Sequence, residues 1–187
     1  MNVNPSSGAT AWLPIAANDI YAPSTGTGNH QPMGYNEMMT LYDRWCVVGS
    51  KINVCMAQNV IPSVLGIAVR DTNTAESIQD PSGSQPNEGL LERNRTHWKY
   101  TNNNGQLAAQ VNQKFSTKKF FHLRSVNERA EGSSNTIWGA ATTSPTAKAY
   151  FNVFAGPISQ HDDCNYHFRV TVSYAVLLSG RKFLGQS

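Results

Sequence analysis

Residues 164 to 179 alternate in hydropathy with a period of two. Tyr166, Phe168, Val170, Val172, Tyr174, Val176 and Leu178 fall on one face, and His167, Arg169, Thr171, Ser173, Ala175 and Leu177 fall on the other. Seven apolar positions in register predict a long, half-buried β-strand. Such a strand must find sheet neighbours and a second layer to cover its apolar face, so the feature commits the chain to a β architecture. A second long strand is predicted from residues 44 to 58, with Cys46, Val48, Ile52, Val54 and Met56 on one face and an interruption at Gly49-Ser50. Shorter β-type runs lie at 60 to 69, broken by Pro62 and Gly66, at 118 to 125, at 149 to 154, and at 11 to 21, where Pro14 points to an edge or bulge. One short helix is predicted at 35 to 42, turning Met38, Met39, Leu41 and Tyr42 to the core.

Long polar segments separate these runs at 22 to 34, 71 to 90 and 132 to 146. Loops beyond about 12 to 15 residues are uncommon unless they bind something or build an interface. A few long loops joining many strands suit a Greek-key sandwich or jelly roll better than a meander. The 187 residues suit a single domain, and no internal repeat divides them.

Composition narrows the class further. Only 14% of the chain is charged, with 15 Lys and Arg against 12 Asp and Glu, well below the roughly 25% of ordinary soluble domains. Asn, Ser, Thr and Gln supply 58 residues instead, so the surface is polar but weakly self-repelling. A coiled coil is excluded by 14 Gly and 9 Pro, and wholesale disorder by 40% hydrophobic residues. The first basic residue is Arg44, so no secretory leader is read, and no apolar run is long enough to span a membrane. Cys46, Cys55 and Cys164 form no C-x-x-C pair and read as small hydrophobes in a reducing compartment.

No catalytic pattern emerges. The histidines (His30, His97, His122, His161, His167) form no H-x-H or H-E-x-x-H. The cluster His161-Asp162-Asp163-Cys164 with His167 has ligand chemistry, but side chains entering a strand diverge to opposite faces, so it reads as a polar turn. Gly26-Thr27-Gly28 lacks the third Gly and the helix of a phosphate loop. Asn94-Arg95-Thr96 matches a glycosylation acceptor, with no secretory leader to bring it to the enzyme. No nucleophile–base spacing is present, and the chain reads as non-enzymatic, without cofactor or metal.

Charge is distributed unevenly. Residues 1 to 43 carry Asp19, Glu37 and Asp43 and no basic residue. Residues 93 to 129 carry Arg93, Arg95, Lys99, Lys114, Lys118, Lys119, Arg124 and Arg129 against Glu128 alone, interleaved with Trp98, Tyr100, Phe115, Phe120 and Phe121. Cations that neutralise phosphate and rings that stack on bases make a sequence-tolerant nucleic-acid surface. Arg93, Arg95, Lys99, Lys118, Lys119 and Arg124 are the candidate nucleic-acid contacts. Trp98 and Tyr100 are candidates for stacking or for a subunit interface, where aromatic and Arg residues also concentrate. The plainer alternative makes the phenylalanines core and the cations a solvated face.

The segment from Ile15 to Val54 carries a more specific signal. Asn18, Tyr21, Pro23, His30-Gln31-Pro32, Gly34-Tyr35-Asn36, Leu41-Tyr42 and Val48-Gly49-Ser50-Lys51-Ile52 resemble a recurring block of capsid proteins from small circular, Rep-encoding single-stranded DNA viruses, the circovirus-like group. Looser similarity continues at 115 to 121, 145 to 154 and 178 to 187. The resemblance implies an all-β, single jelly roll, an eight-stranded antiparallel Greek-key sandwich with long loops and one short helix. It implies a homo-oligomer of roughly 60 copies in a closed T=1 icosahedral shell around a circular single-stranded DNA genome. The protein would then reside in the virion and, during assembly, in the host nucleus, with a host receptor of unstated identity.

The family's N-terminal arm is Arg-rich and precedes a first strand. Residues 1 to 10 carry no basic residue and leave little room for that strand, so a truncated or processed chain is expected. The six candidate cations would then be secondary genome contacts, and the loops at 71 to 90 and 132 to 146 the outward decoration. A carbohydrate-binding jelly roll is the alternative, with Trp12, Trp98 or Trp138 stacking on sugars. A cupin-type enzyme would need clustered histidines, which are scattered here.

Overall fold

The alternating C-terminal segment is strand β9 (Tyr166–Arg181) of a computed structural model describing residues 2–3, 10–24, 30–57, 62–75, 88–101, 109–126, 136–158 and 166–182. Tyr166 and Phe168 are buried and Val170, Val172 and Tyr174 half-buried, while His167, Arg169, Thr171 and Ser173 are exposed. The apolar face loses its cover near the end, where Val176 is 37% exposed. The second long strand is β3 (Tyr42–Ala57). Ile52, Val54 and Met56 are buried in alternation with Lys51, Asn53 and Cys55. Before Gly49 the alternation fails, because Trp45, Cys46 and Val47 are all buried and both faces of the strand are covered there.

The remaining strands among the described residues are β1 (Asn2–Val3), β2 (Ala11–Ala16), β4 (Ser63–Arg70), β5 (Thr96–Tyr100), β6 (Ala109–Ser116), β7 (Gly139–Ala140) and β8 (Tyr150–Pro157). The helical segments are α1 (Tyr35–Leu41), α2 (Glu88–Leu91) and α3 (Thr117–Phe120). A five-stranded sheet has the order β1-β9-β3-β6, with β7 also on β3, and a four-stranded sheet has the order β2-β8-β4-β5. With β7 set aside, the pairs are nested: β1 with β9, β2 with β8, β3 with β6, β4 with β5. Successive pairs alternate between the two sheets. One long antiparallel hairpin, folded at its middle around α2 and rolled up, is the topology of a jelly roll.

Several expectations need correction. The residues at 118 to 125 are not a strand: α3 occupies their start, and Thr117 anchors it by donating its hydroxyl to the buried carbonyl of Val47. His122 then takes a left-handed conformation (φ 54°), and the Leu123 N–H closes on the Lys118 carbonyl at 2.9 Å, a helix stop. Strands β5 and β6 lie where no strand was predicted. A first strand does exist near the N-terminus, since Asn2 pairs with His167 and Val3 with Tyr166. On α1 the buried residues are Tyr35 and Met39, one i,i+4 stripe, whereas Met38 and Leu41 are exposed rather than core-facing.

The chain divides into two compact units. The first takes Met1–Pro14, Ile52–Gln113 and Phe151–Val172. Its core joins Val64, Ala68, Leu90, Leu91 and Phe154, with Trp12 and Trp98 packed against it. A Cβ on Gly66 would lie 2.2 Å from the Phe154 ring, so the missing side chain is what lets that ring cross β4.

The second unit takes Ile15–Lys51, Lys114–Tyr150 and Ser173–Ser187. One cluster centres on Ile20, Tyr35, Met39, Trp45 and Val47, another on Cys46, Ile137 and Trp138. Trp45 is fully buried and donates its indole N–H to Ala140 at 2.9 Å, which meets the cost of burying that polar tip. Most of the block that carries the family resemblance is spent here. Asn18 bonds Ala147 and Ala149, Ser50 donates to the Ala17 carbonyl, Gln31 to the Tyr21 carbonyl at 3.3 Å, and Tyr35 to the Ala141 carbonyl at 3.1 Å. Gly34 enters α1 in the left-handed region (φ 80°). These motif residues are architectural: they close loops on the sheet and leave no concentration of reactive groups.

Candidate ligand surface at the β5–β6 groove

Strand β5 follows a tight turn. Arg95 is left-handed (φ 69°), the Thr96 N–H returns to the Arg93 carbonyl at 3.1 Å, and the Val69 N–H bonds the Arg95 carbonyl at 3.2 Å. From there β5 runs antiparallel to β4, with Thr96 opposite Ala68, Trp98 opposite Gly66 and Tyr100 opposite Val64. Trp98 is half-buried and packs on the first unit's core. Its ring meets Tyr100 edge-on at 4.9 Å and 81°. Tyr100 is 56% exposed, a large ring held at the surface. Thr101 ends the strand with reciprocal bonds to Ser63: the Ser63 N–H donates to Thr101 Oγ1 at 2.9 Å, and that hydroxyl donates to the Ser63 carbonyl at 3.0 Å.

Strand β6 alternates cleanly. Val111, Gln113 and Phe115 are buried, and Gln110, Asn112 and Lys114 are exposed. β5 ends the four-stranded sheet and β6 ends the five-stranded one. Between these two edges lies an open groove of about 360 Å³, lined by Thr96, His97, Trp98 and Lys99 from β5 and Gln110, Val111 and Asn112 from β6. Gln110 donates to Asn53 Oδ1 at 2.9 Å, which fixes its amide, and Gln113 reaches the Arg95 carbonyl at 3.5 Å, which ties the two strands at one end.

The candidate cations separate into two groups. Arg93, Arg95 and Lys99 are exposed on the first unit, together with Trp98 and Tyr100. Lys118 and Lys119 on α3, and Arg124 beyond it, are exposed on the second. Around α3 the aromatic residues pack on one another: Phe120 lies 5.4 Å from Phe115 and 5.0 Å from Phe121, and Phe115 is buried. Those rings serve packing, so only the β5 group combines exposed cations with an exposed ring.

Sequence reading missed Gln110 and Asn112. Their signal was the polar half of an alternating strand, obscured because Gln113, an amide, occupies an inward position. Trp138 is buried and presents no face to a sugar, while half-buried Trp12 packs on the first unit's core and stacks on Phe154 at 6.1 Å. Among the described residues no cluster of three or more His, Cys, Asp or Glu has metal-binding geometry. Residues 161 to 164, 25 to 29, 76 to 87 and 132 to 135, with the cluster and loop segments assigned to them, lie outside the described residues.

No protein-family model matches this chain, and no curated protein matches it. Solved structures do. A structure of sacbrood virus of honeybee in its expansion state II is similar over 98% of this chain and 83% of its own, at 11% identity and a TM-score of 0.50. Desmodium yellow mottle tymovirus is similar over 100% of this chain and 88% of its own, at 10% identity and a TM-score of 0.45. A T=1 subviral particle of a Penaeus vannamei nodavirus capsid protein deletion mutant covers 97% of this chain and 98% of its own, at 8% identity and a TM-score of 0.42. None of these names a circovirus-like virus. The sacbrood likeness establishes the jelly-roll fold.

Proposed function

We propose that this chain is the shell subunit of a virus capsid, a non-enzymatic protein whose 187 residues act as one self-assembling shell domain. The observation that carries the reading is the block from Ile15 to Val54, found in a chain whose strands pair in the nested order of a jelly roll. A viral structure with the same fold supports it. So does a surface with 14% charged residues, which keeps copies apart poorly and suits burial in symmetric contacts. The family resemblance further supports a T=1 shell of roughly 60 copies, enclosing circular single-stranded DNA, located in the virion and assembled in the host nucleus. Of the segments at 71 to 90 and 132 to 146, Leu90, Ile137 and Trp138 are buried, so outward decoration is left to their exposed residues. Sugar binding through Trp138 loses support, because that ring is buried in packing.

The test is assembly. Purified protein should elute as particles far larger than a 20.5 kDa monomer and show closed shells in negative-stain micrographs. Monomers or small oligomers at every salt concentration and pH tried would sink the capsid reading. Nucleic acid recovered from nuclease-treated particles should be circular and DNase-sensitive. Replacing Lys118 and Lys119 by Glu should lower the 260/280 nm absorbance ratio of the particles, and an unchanged ratio removes those lysines from genome contact.

A further inference from the structure

We infer that the groove between β5 and β6 binds one nucleotide unit of a single-stranded nucleic acid, with phosphate on the β5 side and base on the β6 side. The inference rests on the capsid reading only in that a packaging shell meets such a polymer. Its volume, about 360 Å³, falls in the range of small-ligand sites. The two walls differ in chemistry. On β5, Lys99 and His97 are exposed and offer a cation and an imidazole, and the turn leading into the strand carries Arg93 and Arg95. On β6, Gln110 and Asn112 are exposed amides, each with a donor and an acceptor, the complement of a base edge. Val111, 3% exposed, lies between them, and half-buried Trp98, packed on the core, completes the β5 lining.

The site is built before ligand arrives. Trp98 is held by the core it packs on and by Tyr100, Gln110 is fixed by Asn53, and Gln113 bridges to Arg95. Preorganisation of this kind reduces the side-chain ordering that binding would otherwise require. A sulfated glycan fits less well. It binds through many point charges, whereas one lysine and two amides line the groove.

Fluorescein-labelled oligo(dT) of about 15 nucleotides, within the footprint of single-strand binders, is titrated into the full chain across a salt series. Lys99→Gln should weaken binding about 3- to 10-fold and lower the log–log salt slope by about 0.7, the loss of one phosphate contact on a single strand. Asn112→Leu should weaken binding with the slope unchanged, because it removes a contact to base rather than to phosphate. Both residues are exposed, and circular dichroism checks that the fold is kept. Oligonucleotides carrying 5-iododeoxyuridine should crosslink to peptides containing residues 96 to 99 or 110 to 112. Binding that persists in both variants, or crosslinks confined to residues such as 118 to 124, overturns the groove and leaves genome packaging standing. Shells that form but bind no oligonucleotide also overturn it while the capsid reading survives. The same holds if heparin binds instead and is lost in these variants.

Discussion

Asn18 Oδ1 accepts the Ala149 N–H at 2.8 Å across 131 positions of sequence, while Asn18 Nδ2 donates to the Ala147 carbonyl at 2.8 Å. One buried amide thereby satisfies two main-chain groups of a distant segment, just ahead of β8. Asp19 continues the node: its Oδ1 accepts the N–H groups of Tyr21 and Ala22, both at 3.0 Å, and Lys148 stands 3.2 Å from Oδ2.

Asn18→Ala should destabilise the fold by roughly 2–4 kcal/mol, because a buried donor and a buried acceptor are both left unmade. Asn18→Asp should cost at least as much although it keeps the acceptor for Ala149, because it buries a carboxylate against the Ala147 carbonyl and beside Asp19. Urea unfolding measures both, and an Asn18→Asp variant as stable as the unsubstituted protein would show that the amide donor contributes nothing.

Lys148→Met should destabilise by about 1–3 kcal/mol, less than the loss of a fully buried partner, because the lysine is partly exposed and screened while Asp19 is fully buried. Adding Asp19→Asn to Lys148→Met should recover part of the loss. A double-mutant cycle reads the coupling, and purely additive effects would argue against the pair.

Gly66→Ala should cost about 3 kcal/mol, since its Cβ would sit 2.2 Å from Phe154 Cζ, on a ring wedged in the core. In a chain of this size that lowers Tm by roughly 6–12 °C. Phe154→Leu in the same molecule should relieve part of the clash, and thermal scans of the three proteins test it.

Burial pushes the Cys46 thiol from 9.0 up to about 12, and burial likewise raises the Tyr35 and Tyr174 hydroxyls above 10.0. The unfolded chain therefore loses these protons first as pH rises. Their contribution is fully present below about pH 9 and declines from there through the folded-state values. Tm should fall steadily above pH 9, and iodoacetamide at pH 8 should leave Cys46 unmodified in peptide maps of the native protein. Rapid Cys46 alkylation, or a flat Tm to pH 11, contradicts this.

Legibility in the sequence followed a physical boundary. β9 and the latter half of β3 could be read because each is covered mainly on one face, so period-two burial appears directly as period-two hydropathy. α1 could be placed, but not its buried face, since Tyr35 and Met39 were chosen over Met38 and Leu41 by what stood beneath the helix. β5 and β6 are short sheet edges, where one flank meets solvent and polar residues occupy inward positions, as Gln113 does. The run of Phe120 and Phe121 resembled a strand, yet the bond from Thr117 to Val47 turned it into α3.

By itself the sequence determined the all-β class, the two long strands and the unequal distribution of charge, all properties of local order along the chain. Only the tertiary structure decided which cations share a surface. Arg93, Arg95 and Lys99 belong with Trp98 to one unit, while Lys118, Lys119 and Arg124 belong to the other. It also placed Gln110 and Asn112 across a groove from Lys99. The reason is the nested pairing: β4 with β5 and β3 with β6 bring together residues whose separation along the chain carries no trace of the contact.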